Sequence, residues 1–177
     1  MSWSSPMTAV AGAVFTAAQF NQFVRDNMLE CPAAKATTPG AHFAVSDTNQ
    51  VSERIGARAE VLTSETTTST SYTDLTTVGP SVTVTTGPCA LVYIHGSIQN
   101  SGTGSTRMAY AVSGASTIAE QDNRGIGSGG DSAVFTIQSA VHFHDNLTPG
   151  SNTFKAVYRV ASGTGTFLSR RIGVIPF

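Results

Sequence analysis

His142, Phe143, His144 and Asp145 carry the densest metal-binding chemistry in the sequence. On a strand, side chains two apart point to the same side, so both imidazoles would aim together, opposite Phe143. Paired imidazoles suit a transition metal, and three chains each giving two would supply six nitrogens on a symmetry axis. The residues favour the simpler reading of two histidines at a solvent or subunit surface, and no metal or other cofactor is expected. A second group, Glu120, Asp122, Arg124 and Asp131, lies in the stretch 114–132 among Gly125, Gly127, Gly129 and Gly130. Long loops of this kind serve as contact surfaces, which makes these four the candidate loop contacts. Asp122 and Asp131 could bracket a glycosidic bond, but nothing in the sequence fixes their separation. Neither a nucleophile elbow nor a nucleophile with a placed base is visible. The glycine run at 125–130 has no Gly-Lys-Ser/Thr ending and leads into a strand, which argues against a phosphate loop. The chain reads as non-enzymatic.

Composition narrows the class. At 177 residues the chain suits one domain with a short appendage. Hydrophobic residues make up 40% and charged residues only 12%, about half the usual charged share. Ser and Thr make up about a quarter of the chain, so hydroxyls do the solubilising, as suits an all-β exterior protein. The net charge is −1 and the basic residues are scattered, so nucleic acid is not an expected partner. No apolar run is long enough to span a membrane, and no signal-peptide pattern opens the sequence. Cys31 and Cys89 lack zinc-site spacing and read as reduced, buried thiols.

The elements that must position these residues fall into three stretches. Residues 1–32 contain the helix signals: Thr16 is an N-cap, Gln19 completes a capping box, and Phe15 with Phe20 forms a hydrophobic staple. The helix should start at Ala17, carry Phe20, Phe23 and Val24 on one stripe, and stop near Cys31 because Pro32 follows. A lone helix of this length is marginal, so its aromatic stripe needs a surface to lie on. Trp3, Phe15, Phe20, Phe23 and Val24 are the candidate anchor residues. Residues 33–58 show little periodicity and read as an extended connector.

From 59 to 177 the pattern is a mainly β, jelly-roll-like antiparallel β-sandwich of about eight strands, expected at 59–64, 70–76, 81–85, 90–99, 106–113, 133–144, 153–161 and 165–175. Phe154, Ala156, Tyr158 and Val160 should face the core with Lys155 and Arg159 outside, and Val92, Ile94 and Ile98 should line another strand. In the strand at 133–144, Ala133, Phe135, Ile137, Val141 and Phe143 are expected inside, with Thr136, Gln138, His142 and His144 outside. His95 shares a face with Leu91 and Tyr93 and reads as a packed, hydrogen-bonded histidine. Tyr72 and Tyr110 are the sandwich rings most plausible as exposed platforms.

Trp3-Ser-Ser-Pro6, Gly12-Ala-Val-Phe-Thr-Ala-Ala-Gln-Phe-Asn21 and Val24-Arg-Asp-Asn27 resemble the N-terminal segment of virion proteins of tailed phages of actinobacteria. Residues 63–75, 79–86, 147–154 and 170–172 resemble the β-sandwich that follows in the same proteins. The resemblance implies a structural protein on the particle exterior, assembled in the host cytoplasm, as a capsid decoration or a minor tail or fibre component. It implies attachment through the N-terminal segment to the major capsid protein or to tail proteins, and association with itself as a homotrimer. A host-surface, carbohydrate-binding receptor module, with cell-wall glycan as its partner, is the alternative function.

Overall fold

The computed structural model describes residues 3–129 and 132–177, the first two residues of the second stretch by backbone alone. It forms two compact units, Met1–Ile55 with Phe177, and Gly56–Pro176.

In the first unit the helix begins where its cap dictates. The Gln19 amide donates to Thr16 Oγ1 at 3.2 Å, and the Thr16 amide donates to Gln19 Oε1 at 2.9 Å. Phe15 and Phe20 meet edge to face, centroids 6.1 Å apart, as a hydrophobic staple requires. The helix runs from α1 (Ala17–Phe20) through a π-helical turn, Asn21–Arg25, into α2 (Asp26–Leu29). Buried Asn27 accepts from the Ser4 amide at 2.8 Å and donates to the Ser4 carbonyl at 3.0 Å, tying the incoming chain to the helix.

The connector is not simply extended. It holds a short helix, α3 (Pro32–Lys35), and an antiparallel hairpin of β1 (His42–Asp47) and β2 (Gln50–Arg54). Asn49 takes the left-handed conformation, φ 57°, that closes the two-residue turn between Asp47 and Gln50. Polar latches replace the missing apolar periodicity. Glu53 accepts from the Thr37 and Thr38 amides at 3.0 and 2.7 Å, and Lys35 meets Glu30 at 2.5 Å and the Val51 carbonyl at 2.9 Å.

In the second unit the strands are β3 (Ala57–Val61), β4 (Glu65–Thr67), β5 (Ser81–Thr86), β6 (Ala90–Asn100), β7 (Thr106–Gly114), β8 (Ile126–Ser128), β9 (Ser132–His144), β10 (Gly150–Val160) and β11 (Gly165–Pro176). They pair antiparallel in two sheets ordered β5-β10-β7-β8 and β3-β11-β6-β9, with β4 also on β11. Successive long strands cross between the sheets, a jelly-roll-like sandwich. The strand expected at 70–76 is a loop with a single bridge, Thr73 to Tyr158, and β4 forms just before it. Strand β8 adds a short edge inside the stretch expected to be an open loop.

The core is built as the alternations on β6 and β10 require, from Val92, Ile94 and Ile98 against Phe154, Ala156, Tyr158 and Val160, with Met108 and Tyr110 from β7. Strand β9 is turned over relative to the sequence expectation. Phe135, Ile137, Val141 and Phe143 are 41%, 72%, 65% and 53% exposed, and His144 is buried. Residues opposite each other in an antiparallel ladder share a face. Ala90 is opposite His144, Val92 opposite His142 and Ile94 opposite Ala140. Because Ala90, Val92 and Ile94 are fully buried, β6 dictates which face of β9 turns inward.

A second register event re-aims β11. The ladder shifts between Leu168 and Arg171, with Ser169 at φ 53°, so that Phe167 and then Arg170 both point into the core. Arg170 is fully buried, its Nη2 lies 3.1 Å from Glu65 Oε2, and its guanidinium sits 5.3 Å from the Tyr158 ring centre. Burial pushes the Glu65 carboxyl up, but the Thr77 hydroxyl and amide and the Arg170 charge outweigh it and hold it below its usual range. Removing one partner of such a pair leaves the other charge uncompensated in the interior, so Glu65→Gln is expected to lower the unfolding free energy by about 3 kcal/mol. Urea denaturation checks this, and adding Arg170→Met to Glu65→Gln should recover part of the loss.

Candidate functional site

Of the histidine pair, His144 is buried and His142 half-buried at the margin of the sandwich interior. His144 Nε2 lies 2.8 Å from the Tyr110 hydroxyl, and the His142 and His144 rings are 4.8 Å apart. Burial, then the charges of His142 and Arg124, lower the His144 pKa to about 4, and burial lowers that of His142 in the same direction. Burial also raises the Tyr110 hydroxyl. At neutral pH a neutral imidazole therefore shares this hydrogen bond with a protonated tyrosine, its direction set by the histidine tautomer. Tyr110, expected as an exposed ring, is buried because its even-numbered parity on β7 faces the sandwich interior. Among the described residues no three His, Cys, Asp or Glu side chains gather as metal ligands do.

The stretch after β7 is more ordered than its glycines suggested. Ile126 is buried, and a Cβ at Gly125 would collide with the backbone of β7 at Met108, so glycine lets the chain lie flat there. Asp122 accepts from Arg159 Nε at 3.1 Å, from Arg159 Nη2 at 2.5 Å, and from the Tyr72 hydroxyl at 2.7 Å. The Arg159 guanidinium also covers the Tyr72 ring, 5.4 Å from its centre. Hydrogen bonds from Arg159 and then Tyr72 hold the Asp122 carboxyl below its ordinary range, while burial and then Asp122 raise the Tyr72 hydroxyl. On the same outward face of β10, Lys155 pairs with Asp74 at 2.8 Å.

This group pins the loop to the sheet. Its charges are mutually satisfied, so it offers a polar surface and not an activated nucleophile or base. Of the other loop candidates, Arg124 folds back onto Gln121 and the Ala119 carbonyl, Glu120 is half-buried, and Asp131 lies outside the described residues. Arg159, Tyr72, Asp74 and Lys155 complete the cluster without having been singled out together. The outward positions of Lys155 and Arg159 on β10 were the signal for them.

The N-terminal anchor residues separate into two groups. Trp3, Phe15 and Phe20 are exposed, whereas Phe23 and Val24 are half-buried. Met7, Val10, Val14 and Phe15 line an apolar groove in the same unit. Cys31 and Cys89 are unpaired and half-buried, less enclosed than expected. His95 has the hydrogen bond its position suggested, with Nδ1 2.8 Å from Ser139 Oγ. Among the described residues no helix is long and apolar enough to cross a membrane.

No family model matches the sequence, and no curated protein matches it. Among solved structures, the chain is similar to an Eiger TNF from S. frugiperda, with a TM-score of 0.46 and 14% identity over 70% of this chain and 92% of that one.

The depressed His144 pKa makes the sandwich pH-sensitive, with a sign that follows from proton linkage. Above about 6.5 both folded and unfolded chains hold a neutral imidazole, and the stabilisation is complete. As pH falls from 6.5 towards 4 only the unfolded chain takes up the proton, so stability drops by up to about 3 kcal/mol. Denaturant titrations at a series of pH values should show this slope in the wild type, and His144→Gln should flatten it.

Proposed function

We propose that this chain is a non-enzymatic structural protein of a tailed-phage virion, held on the particle by its N-terminal unit and presenting its β-sandwich outward as a homotrimer. The observation that carries the reading is the N-terminal unit itself. It forms a compact unit of its own, held by latches such as Glu53 with Thr37 and Thr38, yet leaves Trp3, Phe15 and Phe20 exposed, and Phe15 lines an apolar groove. A unit that stands on polar latches while keeping its largest apolar side chains at the surface is arranged for contact with another protein. These residues fall within the motifs that resemble the N-termini of tailed-phage virion proteins. The partner in this reading is the major capsid protein or a tail protein, on the particle exterior.

The alternative of a glycan-binding module finds less support. Sugar recognition uses open aromatic faces, but Tyr110 is buried and Arg159 covers one face of Tyr72.

Burying a large apolar side chain is worth about 1.5–3 kcal/mol. The paired substitution Phe15→Asp with Phe20→Asp should therefore weaken attachment to purified phage particles by at least about 100-fold. Co-sedimentation of the full chain with phage heads, tails and host cells reads this out. Undiminished binding by the variant, or wild-type binding to cells alone, would sink the anchor.

A further inference from the structure

The outer face of the five-stranded sheet gathers exposed apolar side chains from β9 and β11. Its cross-strand register arranges the outward side chains in rows. Phe143, Leu91 and Ile175 form the first row, and Val141, Tyr93, Gly173 and Arg58 the second. The third is polar, with Ser139, His95, Arg171 and Glu60, and in the fourth Ile137 and Leu168 flank the buried Ser97. Tyr93 lies across Gly173, where a Cβ would overlap its ring, so the aromatic spreads flat over the sheet. Phe135 extends the apolar surface along β9, the outermost strand on that side.

We infer that this face is where one copy of the chain packs against another. The inference deepens the homotrimer reading and rests on it. Three observations select a second copy as the occupant. The first is area: Phe135, Ile137, Val141, Phe143 and Ile175 are 41%, 72%, 65%, 53% and 42% exposed on this one face, an apolar surface on the order of a few hundred Å², the size at which exposed patches mark interaction sites. The second is charge. The charged side chains of the face are mostly paired within the chain, Glu60 lying 3.1 Å from Arg171 and 4.0 Å from Arg58, which leaves a single positive charge, too little to call for a strongly acidic partner.

The third is the position of the apolar residues, which run from an edge strand into the middle of the sheet. A long apolar edge strand left open invites pairing with other chains. Packing β9 of one copy against β6 and β11 of the next covers edge and face together and is a head-to-tail contact able to close into a ring.

The test uses the full chain and two outward substitutions on β9, Ile137→Lys and Val141→Asp, at positions exposed in the sandwich. Analytical ultracentrifugation across the micromolar range should give a multiple of 18.4 kDa for the wild type and 18.4 kDa for the double variant. Thr83→Lys, on the outer face of the other sheet, should keep the wild-type mass. Far-UV circular dichroism and cooperative thermal unfolding show that each variant is folded. A wild-type chain that stays monomeric, or a folded double variant that keeps the oligomeric mass, overturns the inference. Particle binding through Phe15 and Phe20 is read separately, so loss of the oligomer and loss of the anchor are distinguishable results.

Discussion

The pairing of β6 with β9 governs the sandwich. Residues opposite each other in this ladder look the same way, and the burial of Ala90, Val92, Ile94 and Ile98 leaves β9 no choice of face. The volume between the sheets is already filled from the other side by Met108, Tyr110, Phe154 and Tyr158. Only small or hydrogen-bonded groups fit beneath β9, and Ala140, His144 and Gln138 are what it supplies. Gln138 Oε1 accepts from the Gly127 amide at 3.0 Å, so the inner face of β9 also holds β8 in place. The apolar side chains of β9 are the surplus of that arrangement, and they stand outside.

A chain with so few charges spends many of them within itself. Glu65 holds the buried Arg170, Asp122 joins Tyr72 to Arg159, and Glu53 closes the N-terminal unit. Buried asparagines do similar work where loops meet strands. Asn152 reaches Thr86 at 2.8 Å and accepts from the Ser116 amide at 2.7 Å, while Asn100 reaches Thr106 at 3.0 Å. These contacts explain how a Thr- and Ser-rich sequence builds a defined interior: its hydroxyls and amides satisfy one another where backbone groups would otherwise be stranded.

Much of this was legible in the residues. Thr16 with Gln19 marks a helix start through local chemistry alone, and the alternation on β10 is unambiguous because Lys155 and Arg159 can face only outward. Strand β9 misled for a physical reason. Periodicity identifies an apolar face but not which way the ladder turns it, and the burial of Ala90, Val92 and Ile94 on β6 turns the apolar face of β9 outward. The bulge at Ser169 was invisible because a serine at positive φ has no sequence signature of its own, although its effect, an arginine in the core, is large. The hairpin in the connector depends on Asn49 and on the latches of Glu53, which are contacts between positions that no short window contains.

The two exposed apolar surfaces differ in kind, and that difference bears on how the proposed assembly works. The anchor offers a few aromatic side chains, enough for a modest affinity per chain once ordering costs are met. In the proposed assembly the sheet face would supply the self-association. Joining several copies through the sheet face converts each further anchor contact into an intramolecular event at high effective concentration, so modest contacts combine into firm attachment. In the proposed assembly a weaker anchor and a head-to-tail association between copies thus form a consistent division of labour. Single chains would exchange readily with the particle surface, whereas the assembled oligomer would remain bound.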